Sequence, residues 1–331
     1  MKYTNSTLFK TELQNISDVL ELINYRPRTI DSYLQCIFEC CSWLQDTYSI
    51  PIADADILQL RTFLLHLKRR KEEGGLGYAP RSVNLYNCAL KKYFRFVLKK
   101  PLSNDDLPLC RVDYPLPKVP SQKEVFRLIL GMDNLKHMTE LAVAYGAGLR
   151  ISEVTALRFR DISFSDGTIT ISEEASKSRY AGTIELSTRL KGILYRYWKQ
   201  CYPDARPDDW LFPGQKPGSH ITKGSLDRVF KKRIRELGWE SRGYSFHCLR
   251  HAQALHYYQS GADLFQVQQR LRHRTITSTL IYVQLDAKLK ERRHIENPFD
   301  AENFSGEFCW LVDGRRPGRK GDGFHYGIVS F

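Results

Sequence analysis

The 331-residue chain has no apolar run long enough to span a bilayer, which excludes a helical membrane protein. Its start, MKYTNSTLFKTELQN, lacks the apolar core of a secretion signal, so the expectation is a cytoplasmic protein with no membrane role. The eight cysteines (Cys36, Cys40, Cys41, Cys88, Cys110, Cys201, Cys248, Cys309) include no C-x-x-C pair and mostly sit within apolar periodic stretches. They read as reduced core residues; the spacings of a zinc site are missing. No glycine loop that would cradle phosphates and no metal cluster is visible. Internal repeats are absent. Acidic residues are the minority charge: 37 Asp+Glu stand against 50 Lys+Arg, a formal net charge of +13. Such a field favours polyanions, nucleic acid first and an anionic membrane surface second.

What is present is enough for two cores, with 42% apolar and 26% charged residues. Residues 11–100 carry helical periodicity. Ile30, Leu34, Ile37, Cys41 and Leu44 recur at three and four residues, and Val83, Tyr86, Leu90, Phe94 and Val97 share one face of a second helix with Pro80 near its start. Four prolines in LPLCRVDYPLPKVP mark an extended linker. The pattern then changes. Ser121 and Glu124 stand at capping-box spacing, a helical stretch breaks at Gly146–Gly148, and GTITI and GTIEL alternate as a strand pair or small sheet with Lys177 at or near its tip. Helical pattern resumes after PDARPDDWLFPGQKPG and runs to about residue 295. The boundaries follow: a helical domain over 1–106, a Pro-rich linker over 107–120, a mainly α domain with a small β-sheet (α+β) over 121–298, and a glycine-rich basic tail over 299–331. The tail reads as a flexible extension or as an arm that touches DNA.

Three short segments hold the residues of interest. Ser245 is placed to cap a helix that ends at Gly261, with His247 and Arg250 three residues apart on one face. A lone H-x-x-R is a weak signal and by itself reads as a surface helix with a histidine and a solvated arginine. Asp263 can cap a short helix with Leu264, Val267 and Leu271 inward, and His273 falls at its end. Nine residues separate His273 from Tyr282, two and a half turns, which on one continuous helix puts them on opposite faces. They can work together only if the chain turns between them. TITST provides for this, because Thr277 or Ser278 can cap a fresh helix. Tyr282 is then either a packing residue with a polar tip or a nucleophile. Tyr257 and Tyr258 read as packing residues.

YGAGLRISEVTALRFRDI, HCLRH and LRHRTITSTLIY, in this order, resemble the three signature segments of the tyrosine recombinases, the phage-integrase family. The match spans about residues 11–295. It implies a two-domain C-shaped clamp on DNA, with a helical core-binding domain and a catalytic domain, and it implies roles position by position. Arg150 matches the first catalytic arginine and Lys177 the hairpin lysine, with Arg179 close by. His247 and Arg250 match the central pair, His273 the third-segment histidine, and Tyr282 the nucleophile. Such an enzyme cuts one strand, holds a 3′-phosphotyrosyl link, releases a 5′-hydroxyl, and reverses the step with a partner strand, without metal or ATP. Its partners would be double-stranded DNA with inverted-repeat sites, a homotetrameric synapse, and accessory DNA-bending proteins. Integration, excision or resolution of a mobile element is the expected role.

Elementary chemistry agrees. Two guanidiniums can clamp the nonbridging oxygens of a phosphodiester and stay ionised. A free tyrosine is roughly 4 kcal/mol from its phenolate at pH 7, a cost that a cationic pocket reduces. His247 is the candidate proton acceptor, Lys177 the general acid for the leaving oxygen, and His273 a phosphate hydrogen-bond donor. Glu153 orients or pairs locally. Arg81, Lys91, Lys92, Lys231, Lys232 and Arg272 are the candidate DNA contacts, the two lysines of KGSLDRVFKKRIRELG being a phosphate-tracking stripe or a solvated face. Arg272 stands where the family has glycine, which means either a strained backbone or an added phosphate contact. Two other readings stay open: a type IB topoisomerase-like enzyme and a non-catalytic DNA binder.

Overall fold

The computed structural model of the chain describes residues 9–69, 77–172 and 182–289. The chain separates into two compact units, Met1–Pro115 and Leu116–Phe331.

The first unit is helical: α1 (Lys10–Leu22), α2 (Pro27–Tyr48), α3 (Ile57–Arg69) and α4 (Pro80–Phe96). Pro27 and Pro80 occupy first turns, where a missing N–H costs nothing. The α2 stripe is buried as its spacing predicts: Ile30, Leu34, Ile37, Cys41 and Leu44 all face the core, with Phe63 of α3 and Leu90 of α4 opposite. Burial pushes the Cys36 and Cys41 thiols up to about 12, so both stay protonated. Cys88 and Cys110 are half-buried, and Cys201, near the surface of the second unit, is exposed and departs from the core reading; Cys309 lies outside the described residues. The proline-rich stretch forms neither helix nor strand, and its first residues are tied to α4. The Asn84 amide donates to the Cys110 carbonyl at 3.0 Å and accepts from its N–H at 2.8 Å, while Asn87 donates to the Leu107 and Pro108 carbonyls.

The second unit opens with α5 (Gln122–Leu130), started by the expected box: the Ser121 hydroxyl accepts from the Glu124 N–H and the Glu124 carboxylate from the Ser121 N–H. α6 (Leu135–Gly146) and the short α7 (Ile151–Thr155) are separated at Gly148, whose φ of 61° is left-handed. A three-stranded antiparallel sheet follows, in order β1 (Ile162–Ser163), β2 (Thr168–Ile171), β3 (Gly182–Glu185). Ile162 pairs with Ile169 and Ile169 with Ile184, so one face of isoleucines meets the core. β1 was not expected; two residues are too short to alternate. α8 (Thr188–Cys201), α9 (Lys223–Glu236), α10 (Cys248–Gln259), α11 (Leu264–Leu271) and α12 (Leu280–Leu289) complete the described chain. The fold is mainly α with a small sheet in the second unit, as the sequence predicts. No helix among the described residues is long and apolar enough to cross a membrane.

Candidate active site

The site starts at the α6–α7 turn. Gly148 needs its left-handed conformation and also the space: a Cβ there would lie 2.9 Å from Gln253 Oε1 and 3.0 Å from Leu271 Cδ2. The turn sets Arg150 immediately before α7. Glu153, fully buried, accepts from the Arg150 N–H at 2.9 Å and from its guanidinium at 2.9 Å. Glu153 thus pairs locally, as expected, and it does more. Arg272 donates to the same carboxylate at 2.7 Å, and Arg250 stands 3.7 Å away.

α10 carries the second segment. Its first residue is Cys248, with His247 in the cap position and still in helical conformation. Ser245 does not cap it with its side chain; its carbonyl accepts from the Cys248 N–H, closing a turn ahead of the helix. His247 and Arg250 consequently remain one turn apart. Arg250 is 1% exposed and donates to the carbonyls of Gly148 and Leu271, which bolts α10 to both other segments. Burial, then the charge of Arg150, lowers it to about 9, which leaves it ionised at neutral pH.

The third segment folds as two helices with a turn between. The Asp263 carboxylate caps α11 reciprocally with Gln266. Arg272 follows at φ 53°, ψ 47°, left-handed, where glycine would be unstrained. A 3-10 turn over Ile276–Ser278 then starts α12, so neither the Thr277 nor the Ser278 side chain caps it as expected. The buried Thr279 closes the turn instead, its hydroxyl 3.0 Å from His273 Nδ1. The turn brings the His273 and Tyr282 rings parallel, 6.4 Å apart and inclined at 11°. Tyr282 is 1% exposed, and its hydroxyl lies 3.1 Å from Nδ1 of His251. The His251 ring in turn meets His247 edge-on, with centroids 4.6 Å apart, and His247 is exposed. His251, the last residue of HCLRH, has no role among those the sequence implies. The signal available was its spacing, one residue from Arg250 and four from His247.

Three imidazoles are pushed down: His273 to about 3 by burial and then Arg250 and Arg150, His251 to about 4 by burial and then His247 and Arg250, and His256 to about 4 by burial. Each is neutral when folded and, between that value and its ordinary 6.5, protonated when unfolded. The unfolded chain therefore binds more protons in this window, and stability falls as pH drops through about 6.5. The thermal unfolding midpoint should decline from pH 7 to pH 5, above the range where carboxylates titrate. A midpoint that holds level or rises over that range would count against buried neutral histidines.

Of the remaining candidates, Lys177 and the tail over 299–331 lie outside the described residues. Arg81 stacks over Tyr114, Lys92 lies over the Tyr25 ring, and Lys91 donates to Asn104. Lys231 and Lys232 are exposed and pair with Asp227 and Glu236, one turn away on the same helix. Tyr257 and Tyr258 pack half-buried beside Leu255 and Val267, as expected. Arg272 is the departure: its side chain is 5% exposed and its charge meets Glu153, so in this arrangement it is not presented as a phosphate contact.

Residues 121–288 match the Phage integrase family, and residues 13–104 match the phage integrase N-terminal SAM-like domain. The chain belongs to the phage integrase family. Among curated family relatives, tyrosine recombinase XerD of Pseudomonas putida is 30% identical over 269 residues, 77% of this chain and 86% of that protein. Tyrosine recombinase XerA of Pyrococcus furiosus is 30% identical over 290 residues, 86% of this chain and 93% of that one. Among solved structures, the XerH site-specific recombinase bound to palindromic difH substrate in a post-cleavage complex superposes with a TM-score of 0.64 at 20% identity, covering 87% of this integrase-family chain and 88% of that one. A lambda integrase dimer bound to a COC′ core site gives 0.64 at 15% identity, covering 86% and 80%. These likenesses establish the shared fold.

Proposed function

We propose that the chain is a site-specific DNA recombinase that cuts and rejoins DNA through Tyr282. The observation that carries this reading is convergence: Arg150, the His247–Arg250 pair and His273–Tyr282, from three separated segments, meet around one phenol. Arg150 and Arg250 hold the scissile phosphate and neutralise the charge that grows on its nonbridging oxygens. His273, held through Nδ1 at 3.0 Å from the Thr279 hydroxyl, has Nε2 left to meet the same phosphate. The Tyr282 oxygen attacks phosphorus, the 5′ oxygen leaves with a proton from Lys177, and the 3′-phosphotyrosyl bond conserves the energy needed for rejoining. No step draws on a metal or on ATP. The partner is duplex DNA with inverted-repeat sites, held by four copies of the chain, with accessory DNA-bending proteins assisting the integration, excision or resolution of a mobile element inside the cell.

The test is a nicked half-site duplex, recovered by binding selection from a randomised inverted-repeat library and incubated with chelator and no nucleotide. A protease-sensitive covalent adduct should accumulate, because the nicked fragment diffuses away and blocks rejoining. Bound DNA without adduct would leave only the DNA-binder reading. Adduct without strand exchange between two duplexes would favour the topoisomerase-like one.

A further inference from the structure

We propose that His251, and not His247, takes the phenolic proton of Tyr282 during strand cleavage. The proposal rests on the reading of Tyr282 as nucleophile and assigns the base within it. Three observations carry it. His251 Nδ1 stands 3.1 Å from the Tyr282 hydroxyl, within direct transfer distance. The imidazole sits between an exposed His247 and a phenol that is 1% exposed, so it is the ring behind the surface at the point of attack. Arg250, one residue away, is already engaged with the carbonyls of Gly148 and Leu271, which fixes the α10 turn that presents His251.

The ring must be neutral to accept a proton. Burial, then its neighbours His247 and Arg250, keep it so, holding it near 4. Burial also raises Tyr282 to about 12, outweighing Arg250 and Arg150, so the resting pair keeps its proton on oxygen. Transfer therefore accompanies bond formation. The Oη–P bond forms, the P–O5′ bond breaks, the Tyr282 proton passes to Nδ1 of His251, and O5′ takes a proton from the Lys177 ammonium. The incoming phosphate offsets the charge of Arg250 and so makes the imidazole more basic at the moment it is needed. His247 is then left to meet the phosphate from the exposed side.

The experiment is single-turnover cleavage of the nicked half-site by His251→Asn and His251→Gln, beside His247→Asn. Each amide can still hold the phenol but cannot take its proton. DNA affinity and unfolding midpoint should be kept, while cleavage falls by about 10²–10⁴-fold, the usual worth of a general base. Fluorotyrosine at position 282, a more acidic phenol that needs a base less, should shrink the His251 defect and leave any His247 defect unchanged. A bridging sulfur in place of the leaving 5′ oxygen, which needs no proton to leave, should not rescue the His251 variants. The proposal is overturned by cleavage within threefold of the unsubstituted rate, by a defect that fluorotyrosine leaves unaltered, by rescue with the sulfur substrate, or by loss of folding in both variants. None of these outcomes touches the nucleophile itself, which the Tyr282→Phe substitution tests separately.

Discussion

Tyr282→Phe should bind its DNA site within about twofold of the unsubstituted affinity and form no covalent adduct at all. The ring keeps its apolar surroundings beside Leu255, Val267 and Leu285, so the pocket stays filled. The loss is one hydroxyl and its hydrogen bond to His251, worth about 1 kcal/mol in stability. In the proposed mechanism the guanidiniums of Arg150 and Arg250 are unchanged by this substitution and would still take the phosphate. Chemistry stops because the attacking atom is gone, and no neighbouring side chain replaces a phenol oxygen at that position. Denaturing electrophoresis of the nicked half-site reaction gives the answer, and adduct captured by this variant would refute the nucleophile assignment.

Glu153→Ala should cost the most stability. One buried carboxylate serves Arg150, Arg250 and Arg272, and its removal leaves the buried guanidiniums of Arg250 and Arg272, beside the part-exposed one of Arg150, with no carboxylate to face. Breaking a buried pair by deleting one partner costs about 3–5 kcal/mol. For a unit of this size that lowers the unfolding midpoint by roughly 6–20 °C. Cleavage should fall as well, since the carboxylate that orients Arg150 is absent. Arg272→Gly provides the comparison. It removes one of the three cations, relieves about 1–2 kcal/mol of left-handed strain, and leaves Glu153 paired on two sides, so its midpoint should drop less. Calorimetry on both variants decides the order; a Glu153→Ala midpoint within 2 °C of the unsubstituted protein, on the scale of about 2–4 °C per kcal/mol, would rule out the shared-carboxylate account.

The helices were legible because their signals are local. The α2 and α4 stripes, Pro80, the Ser121–Glu124 box and the break at Gly148 each lie within a few residues, and each is where its spacing puts it. The need for a turn between His273 and Tyr282 followed from helix geometry alone. What escaped depended on long-range placement. Arg272 reads as a spare surface cation until a carboxylate 119 positions earlier is folded against it. His251 shows no local mark of its role, because only α12 docking on α10 carries Tyr282 to it, 31 positions on. The start of α10 moved for a subtler reason: Ser245 is a good capping residue, but a turn through its carbonyl closes first.

The strained Arg272 has a consequence in inheritance. At the first residue of β3, Gly182, an added Cβ would come within 2.8 Å of the Arg272 side chain, while its backbone φ makes no demand for glycine. The two positions, ninety residues apart, therefore constrain each other: the arginine requires a bare backbone beside it. A lineage that replaced the arginine with a small residue would release position 182 to drift, whereas one that first filled position 182 would be driven to give up the arginine. Among descendants of a common ancestor the pair should change together, and the root of the strand that follows the Lys177 segment should carry the record of which came first.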